Sequence, residues 1–556
     1  MVKLIRKYKQ IIIILCISTL YSLFLLSGTL TSIIKTPKET VNMMVGHYYE
    51  DYYEYIAFVK QGGYGNIIFH NPFTNDDKGT LFVPWWPLTL TGFIYSLILK
   101  LPASLAFWIS SFINMIVFFV LSFKAIDLIM KKCSYRNKLF AFMLSLISSS
   151  YFSLENWQTF KINIYNNWTS IGFPFTRYNI GTPQHQLANI IYILSIIILA
   201  KVLQQKINWK TYGWYFSLSL VLLLTRPINA VVLWFAIFLS LVIENVRPIS
   251  NKSLKTILFK VKKTLKESFP LYFLSIITLL IFLLLIKLLN TSQAYQNSMN
   301  TEIHNFRYPA IKEYLLSVGI ILPLAILGLP YYLKHFSFMR LVFLITSGIS
   351  IFMLLVPIQI HGENILSLFY VQNLRFNNPL TYVFLGTCAV EPLRRLGKGK
   401  VFYLAVILVL LFNIPSLFIA WREAIVWPNT ISPSYLQFMP NDMYKGIKNL
   451  ENSNPNKIIL TSLKSKLGMM VPSISGCTVF LGINDFTLNM NNKVKTANQF
   501  FSLEMDQETA KKFLSSERIS EILITKLDGR ETLYLERYPF LSKTYSSDNL
   551  IILSYQ

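Results

Sequence analysis

The sequence predicts an all-α polytopic membrane protein, with about eleven membrane-spanning helices in residues 1–429 and a small extracytoplasmic α/β domain in residues 430–556. Three observations carry this. Of 556 residues, 53% are hydrophobic and only 14% are charged, and apolar runs of about 20 residues, the length that crosses a hydrocarbon core, recur along the chain. The net charge is +25, yet the segment from 430 onward holds 14 Lys/Arg against 12 Asp/Glu. Nearly all of the basic excess therefore lies in the apolar part, in short loops between runs, as the cytoplasmic bias of Lys and Arg requires. Charge distributed this way sets membrane topology and does not indicate a nucleic-acid partner.

The elements follow in order. "MVKLIRKYKQ" leads into an apolar stretch too long for a signal peptide and without a small-residue cleavage site, which reads as an uncleaved first span. Basic loops at 1–9, 124–138, 201–210, 247–266, 334–340 and 394–400 hold 25 of the Lys/Arg residues and are assigned to the cytoplasm. Spans at 10–34, 103–123, 139–153, 185–200, 211–226, 228–245, 269–289, 314–333, 341–358, 379–392 and 401–421 satisfy that assignment. The result is a multi-pass plasma-membrane protein with a cytoplasmic N-terminus. The stretch 81–100, "LFVPWWPLTLTGFIYSLILK", is apolar enough to cross, but crossing would export "KKCSYRNK". It reads as an interfacial or re-entrant segment. "SLVLLLTRPINAVVLW" is divided at Arg226-Pro227, because one continuous span would export the seven basic residues of 247–266.

Long loops at 35–102, 154–184, 290–313 and 359–378 then face outward. Eleven of the fifteen acidic residues before 430 lie on that face, and long loops carry function. In the tail, "NDMYKGIKNLENS" and "DQETAKKFLSSERI" have helical patterning. "NKIILTSL", "CTVFLGIN", "SEILITKL" and "NLIILSY" read as strands. The four cysteines form no CxxC pair, so they indicate neither a disulfide framework nor a zinc site.

The first outer loop carries "HYYEDYYEYIAFVKQG". Glu50, Asp51 and Glu54 either solvate a helix start or supply a general base whose pKa is raised among aromatics. Asp76 and Asp77 form a polar turn or offer oxygen ligands to a divalent cation. Arg177 and His185 flank a Gly-Thr-Pro turn before a span, where Arg either snorkels to headgroups or forks onto a phosphate. Arg226, at membrane depth, is functional by default. The fourth loop adds His361, Glu363 and Arg375.

An outer loop of the form D-x-x-x-Y-[LI]-x-x-[IV]-x-Q-G, matched by Asp51, Tyr55, Ile56, Val59, Gln61 and Gly62 and followed by "NPFT" at 71–74, resembles the GT-C superfamily of membrane glycosyltransferases, in particular a bacterial mannosyltransferase-like branch. The Arg177…Pro183 stretch and the outward tail with "VPSISGCTVFLGI" fit the same layout. The resemblance implies a sugar donor on a polyprenyl phosphate and a glycan, lipid or protein acceptor. It implies inverting transfer with Asp51, or alternatively Glu50, as base. Many relatives carry Asp-Asp or Asp-Glu where this chain has Glu50-Asp51, so either is available. Arg177, Arg226 or Arg375 would meet the departing phosphate, with His185 and His361 beside it, and Tyr55 and its neighbours would line a sugar surface. A divalent cation, Mg or Mn, would sit at Asp76/Asp77. Two other classes remain: a surface-polysaccharide polymerase or ligase working through Arg375 and His361, and a transporter or flippase built on paired half-repeats.

Overall fold

The computed structural model describes residues 2–46, 48–76, 85–156, 161–165, 174–178, 181–202, 209–246, 254–289, 291–297, 300, 311–334, 337–355, 378–396, 399–453, 457–529 and 531–555. The chain divides into two compact units. One comprises Met1–Leu26, Ser111–Leu285 and Ile303–Glu423; the other comprises Ser27–Ser110, Ile286–Glu302 and Ala424–Gln556.

Each expected span overlaps helix in its described residues. Among the described residues, six helices are long and apolar enough to cross a membrane: Tyr8–Leu25, Ala103–Ile129, Pro183–Ala200, Pro227–Glu244, Leu258–Leu289 and Lys400–Thr430. The chain is an integral membrane protein. Ile311–Val318 and Ile321–Lys334 make a further crossing if taken together, although they meet at a bend of 83°. The expected span 139–153 is instead the 13-residue helix Tyr135–Ile147 followed by a strand from Phe152. At ~1.5 Å per residue such a helix is roughly 20 Å long, short of a hydrocarbon core of about 30 Å. The expected division at Arg226-Pro227 is present: one helix ends at Thr225 and the next begins at Pro227, where a proline needs no amide donor.

In the first unit, Asn378–Leu396 packs against Ile321–Lys334, Tyr135–Ile147 and Phe338–Leu355. It presents Thr381, Tyr382, Leu385, Cys388 and Ala389 to the interior. Leu254–Leu289 is different: only 17% of its apolar window is buried. An apolar helix with so little protein around it faces lipid. Phe152–Asn156 and Lys161–Ile164 form an antiparallel pair.

In the second unit, strands Ile458–Thr461, Thr478–Val479 and Ile519–Ile524 are parallel neighbours, and Ile551–Tyr555 and Leu541–Ser546 add two antiparallel strands. Helices flank the sheet, and Leu460, Phe480, Phe500, Ile522 and Tyr538 are in its apolar core. All four expected strands are present, though Thr478–Val479 has only two residues. The helix Asn441–Ser453 falls where its pattern predicts. The same unit holds the first outer loop. Thr40–Asn42 pairs with Phe438–Pro440, and the helix Tyr49–Gly63 packs on Leu467–Ile474 of the tail. The stretch 81–100 contains Trp86–Thr91 and the π-helical Gly92–Ile98, both packed against Tyr49–Gly63.

Candidate functional site

The helix Tyr49–Gly63 organises the acidic loop. Glu50 and Asp51 lie in its first turn and Lys60 in its last, so each charge opposes the end of the helix dipole it sits on. Tyr52 and Tyr53 are buried, and their hydroxyls donate to the carbonyls of Met43 and Leu436. The expectation that these rings line a sugar surface is corrected for this pair: they are core residues whose hydroxyls satisfy backbone carbonyls. Tyr55 is half-buried, with its ring stacked on Phe107. Gln61 donates to the His70 carbonyl at 2.6 Å and accepts from the His70 amide at 2.9 Å, closing the loop behind the helix.

The three acids differ in surroundings. Glu50 and Asp51 are exposed, whereas Glu54, one turn on, is buried at 8% exposure. Desolvation, reinforced by Asp51 and then Asp485, pushes the Glu54 carboxyl well above the usual glutamate range.

The "NPFT" stretch fastens this loop to the tail. Asn71 donates to the Phe486 carbonyl at 2.7 Å, and the Thr487 hydroxyl donates to the Phe73 carbonyl at 2.9 Å. Lys493, itself buried, donates to the Thr74 hydroxyl and to Asn75, and is ion-paired with Asp76 at 2.8 Å. Burial lowers the Lys493 pKa, and Asp76 opposes that shift. Asp76 therefore meets an ammonium where the sequence suggested a metal ion. Asp77 lies outside the described residues, and among those described no three His, Cys, Asp or Glu side chains could hold a metal together.

Beside Asp485 the tail opens into a cleft of about 540 Å³. Seven Asn and Gln residues line it, Gln293, Asn297, Asn300, Asn484, Asn489, Asn491 and Asn492, together with Asp485, Thr487 and Met490. The sequence reading missed this feature, because its two segments, 293–300 and 484–492, are far apart in the chain and neither carries a recognisable motif.

In the first unit, Arg226 is buried and its guanidinium donates to Asn189 Oδ1 at 2.9 Å and to the His185 carbonyl at 3.3 Å. The structure thus brings the predicted Arg226 and His185 together. It assigns Arg177 elsewhere. At 1% exposure, that guanidinium donates to the carbonyls of Ser145, Leu146 and Ser148 and to the Tyr178 hydroxyl, and lies 3.4 Å from the centre of the Tyr382 ring. Those carbonyls close the helix Tyr135–Ile147, whose last turn has no amide partners of its own. The expectation that Arg177 grips a phosphate is corrected: it caps a helix C-terminus. His361 and Arg375 lie outside the described residues.

Over 94% of this chain and 70% of that one, the structure resembles the archaeal oligosaccharyltransferase AglB from Archaeoglobus fulgidus, in complex with an inhibitory peptide and a dolichol-phosphate, with a TM-score of 0.52 and 12% identity. The likeness is one of fold, to an archaeal oligosaccharyltransferase. The Archaeoglobus fulgidus oligosaccharyltransferase in complex with Zn and sulfate agrees (TM-score 0.52, 12% identity, 97% of this chain, 73% of that one). So does its apo form (0.51, 14%, 93% and 69%). No protein-family model and no curated protein matches the sequence.

Proposed function

We propose that the chain is an integral-membrane glycosyltransferase that takes a sugar from a polyprenyl-phosphate-linked donor and transfers it to an acceptor hydroxyl at the non-cytoplasmic face. The observation that supports this is the placement, in a GT-C fold, of exposed Glu50 and Asp51 at the start of a helix whose third acid, Glu54, is buried. Asp51 is the base, with Glu50 the alternative. It takes the proton of the acceptor hydroxyl as that oxygen forms the new bond to the anomeric carbon. The bond from that carbon to the lipid phosphate breaks on the opposite face, so the centre inverts. Burial pushes the Glu54 carboxyl toward its protonated form, which lessens like-charge repulsion on Asp51 one turn earlier. The departing phosphate needs a cation. Arg226 and Arg375 are the candidates ahead of Arg177, whose terminal guanidinium nitrogens donate to the carbonyls that close a helix.

The remaining expectations belong to the same reading: eleven crossings, a cytoplasmic N-terminus, residues 1–429 as the membrane catalytic part, an extracytoplasmic tail over 430–556 and kinship with mannosyltransferase-like enzymes. One of the similar oligosaccharyltransferase structures is a complex with an inhibitory peptide and a dolichol-phosphate, which supports a lipid-linked donor.

The test is glycosyl transfer by purified protein in lipid nanodiscs, with a panel of polyprenyl-phosphate sugars. Wild type should turn over at least one donor. Asp51→Asn should lower the rate by about 10²–10⁴-fold, the contribution of a positioned base, and Glu50→Gln by much less. Chelation and re-addition of Mg or Mn in the same assay reads any cation requirement. Full activity in both carboxyl variants would remove the base assignment, and no turnover or binding of any donor would remove the transferase reading.

A further inference from the structure

The amide-lined cleft has a composition that selects its occupant. Seven Asn and Gln residues line about 540 Å³ of space, within the ~300–1,000 Å³ typical of small-ligand sites. Each amide offers two N–H donors and a carbonyl acceptor, so an array of them matches a ligand whose neighbouring groups both donate and accept. Vicinal sugar hydroxyls do this. Among the described lining residues there is no Lys or Arg to meet a phosphate, and Met490 is the one apolar side chain to cover a lipid chain or a hydrophobic peptide side chain.

The single charge is Asp485, whose field reaches the Glu54 carboxyl. The wall behind it is firmly built: Thr487 is tied to the Phe73 carbonyl and to the Gly482 amide, Asn71 holds the Phe486 carbonyl, and Lys493 is fixed by Asp76. Asn491 and Asn492 are exposed at its rim, free of the packing that fixes the wall.

We propose that this cleft binds a neutral, polyhydroxylated acceptor, the growing end of a glycan, and that Asp485 orients it by accepting a hydroxyl proton. The assignment rests on the transferase reading above and names the acceptor class for it. Asp485 is a positioning residue, and Asn491 and Asn492 set the strength of binding. The occupant is a saccharide held through its hydroxyls, and the cleft carries no part of the donor phosphate.

The experiment uses the full chain in nanodiscs. Saturation-transfer NMR measures binding of neutral oligosaccharides of mannose, glucose, galactose, rhamnose and N-acetylglucosamine, with a neutral Asn-X-Thr peptide as competitor. Wild type is compared with the double variant Asn491→Ala/Asn492→Ala, with Asp485→Asn, and with Lys495→Ala, an exposed control on the same helix. At least one oligosaccharide should bind wild type and Lys495→Ala equally. It should bind the double variant about ten-fold more weakly, the loss expected for two neutral hydrogen bonds. In the transfer assay, the double variant and Asp485→Asn should raise the acceptor KM and leave the donor KM unchanged.

Unchanged acceptor KM in a transferring enzyme would overturn the cleft assignment while leaving the activity standing. Displacement by the peptide, or binding of the peptide alone, would replace a glycan acceptor with a peptide. If no donor is turned over, the transferase reading fails, and the NMR arm decides the cleft by itself: oligosaccharide binding lost in the double variant supports it, and equal or no binding overturns it.

Discussion

Glu54 and Arg177 show how similar-looking charges acquire opposite roles. Glu54 sits three residues from Asp51 in one short loop, yet burial leaves it with a carboxyl raised above the usual range while Asp51 stays exposed. The sign of the consequence is fixed. Between the ordinary glutamate pKa and the raised one, the folded chain holds a proton that the unfolded chain has released. Stability from neutral Glu54 is therefore complete in acid and is lost as the pH rises through the folded value. Glu54→Gln keeps the neutral shape, so its thermal midpoint should match wild type near about pH 4 and exceed it increasingly toward about pH 8. A difference that does not change with pH would mean that Glu54 is ionised in the folded protein. Arg177 makes the opposite case, a cation that looks like a phosphate ligand and whose terminal guanidinium nitrogens instead donate to three carbonyls and a hydroxyl. Its chemistry was legible in the sequence, but its partners were not, because they lie some thirty residues away.

At the scale of one element, the helix Tyr49–Gly63 is placed by contacts that its own pattern only hints at. The glycines of the "QGG" run and its neighbour at 92 are demanded by close approach. A Cβ on Gly62 would lie 1.9 Å from the Thr89 carbonyl oxygen, and one on Gly92 would lie 1.9 Å from that of Val59. Backbone on both sides leaves nothing to yield. Gly92→Ala should therefore cost at least about 1–3 kcal/mol, the usual range for overpacking, and lower the thermal midpoint. Gly213→Ala, where nothing lies within 4 Å, should be neutral or slightly stabilising, since alanine favours helix. Equal midpoints for the two variants would mean that the two backbones can separate without loss. The Gly62 of the sequence motif is thus explained by packing, and Asn71 and Thr74 of "NPFT" by their bonds to the tail.

For the whole molecule, topology is the property that charge distribution predicts and that helix geometry alone leaves open. In a chain whose four cysteines are replaced by alanine, Asp548→Cys should be labelled by a membrane-impermeant maleimide in intact cells, and Lys131→Cys only after permeabilisation. Both positions are exposed, so the contrast reports sidedness; the reverse pattern would invert every loop assignment. The sequence by itself determined that this is an apolar, multi-helix membrane protein, where its helices fall, and that a sheet-bearing tail follows. Those properties depend on run length, charge and local period, which are one-dimensional. Tertiary structure alone decided that residues 27–110 share a compact unit with the tail, that Asp76 answers a buried lysine, and that amides from two distant segments meet in one cleft. Burial and hydrogen-bond partnership belong to pairs of residues far apart in the chain, and no local pattern encodes which pairs will meet.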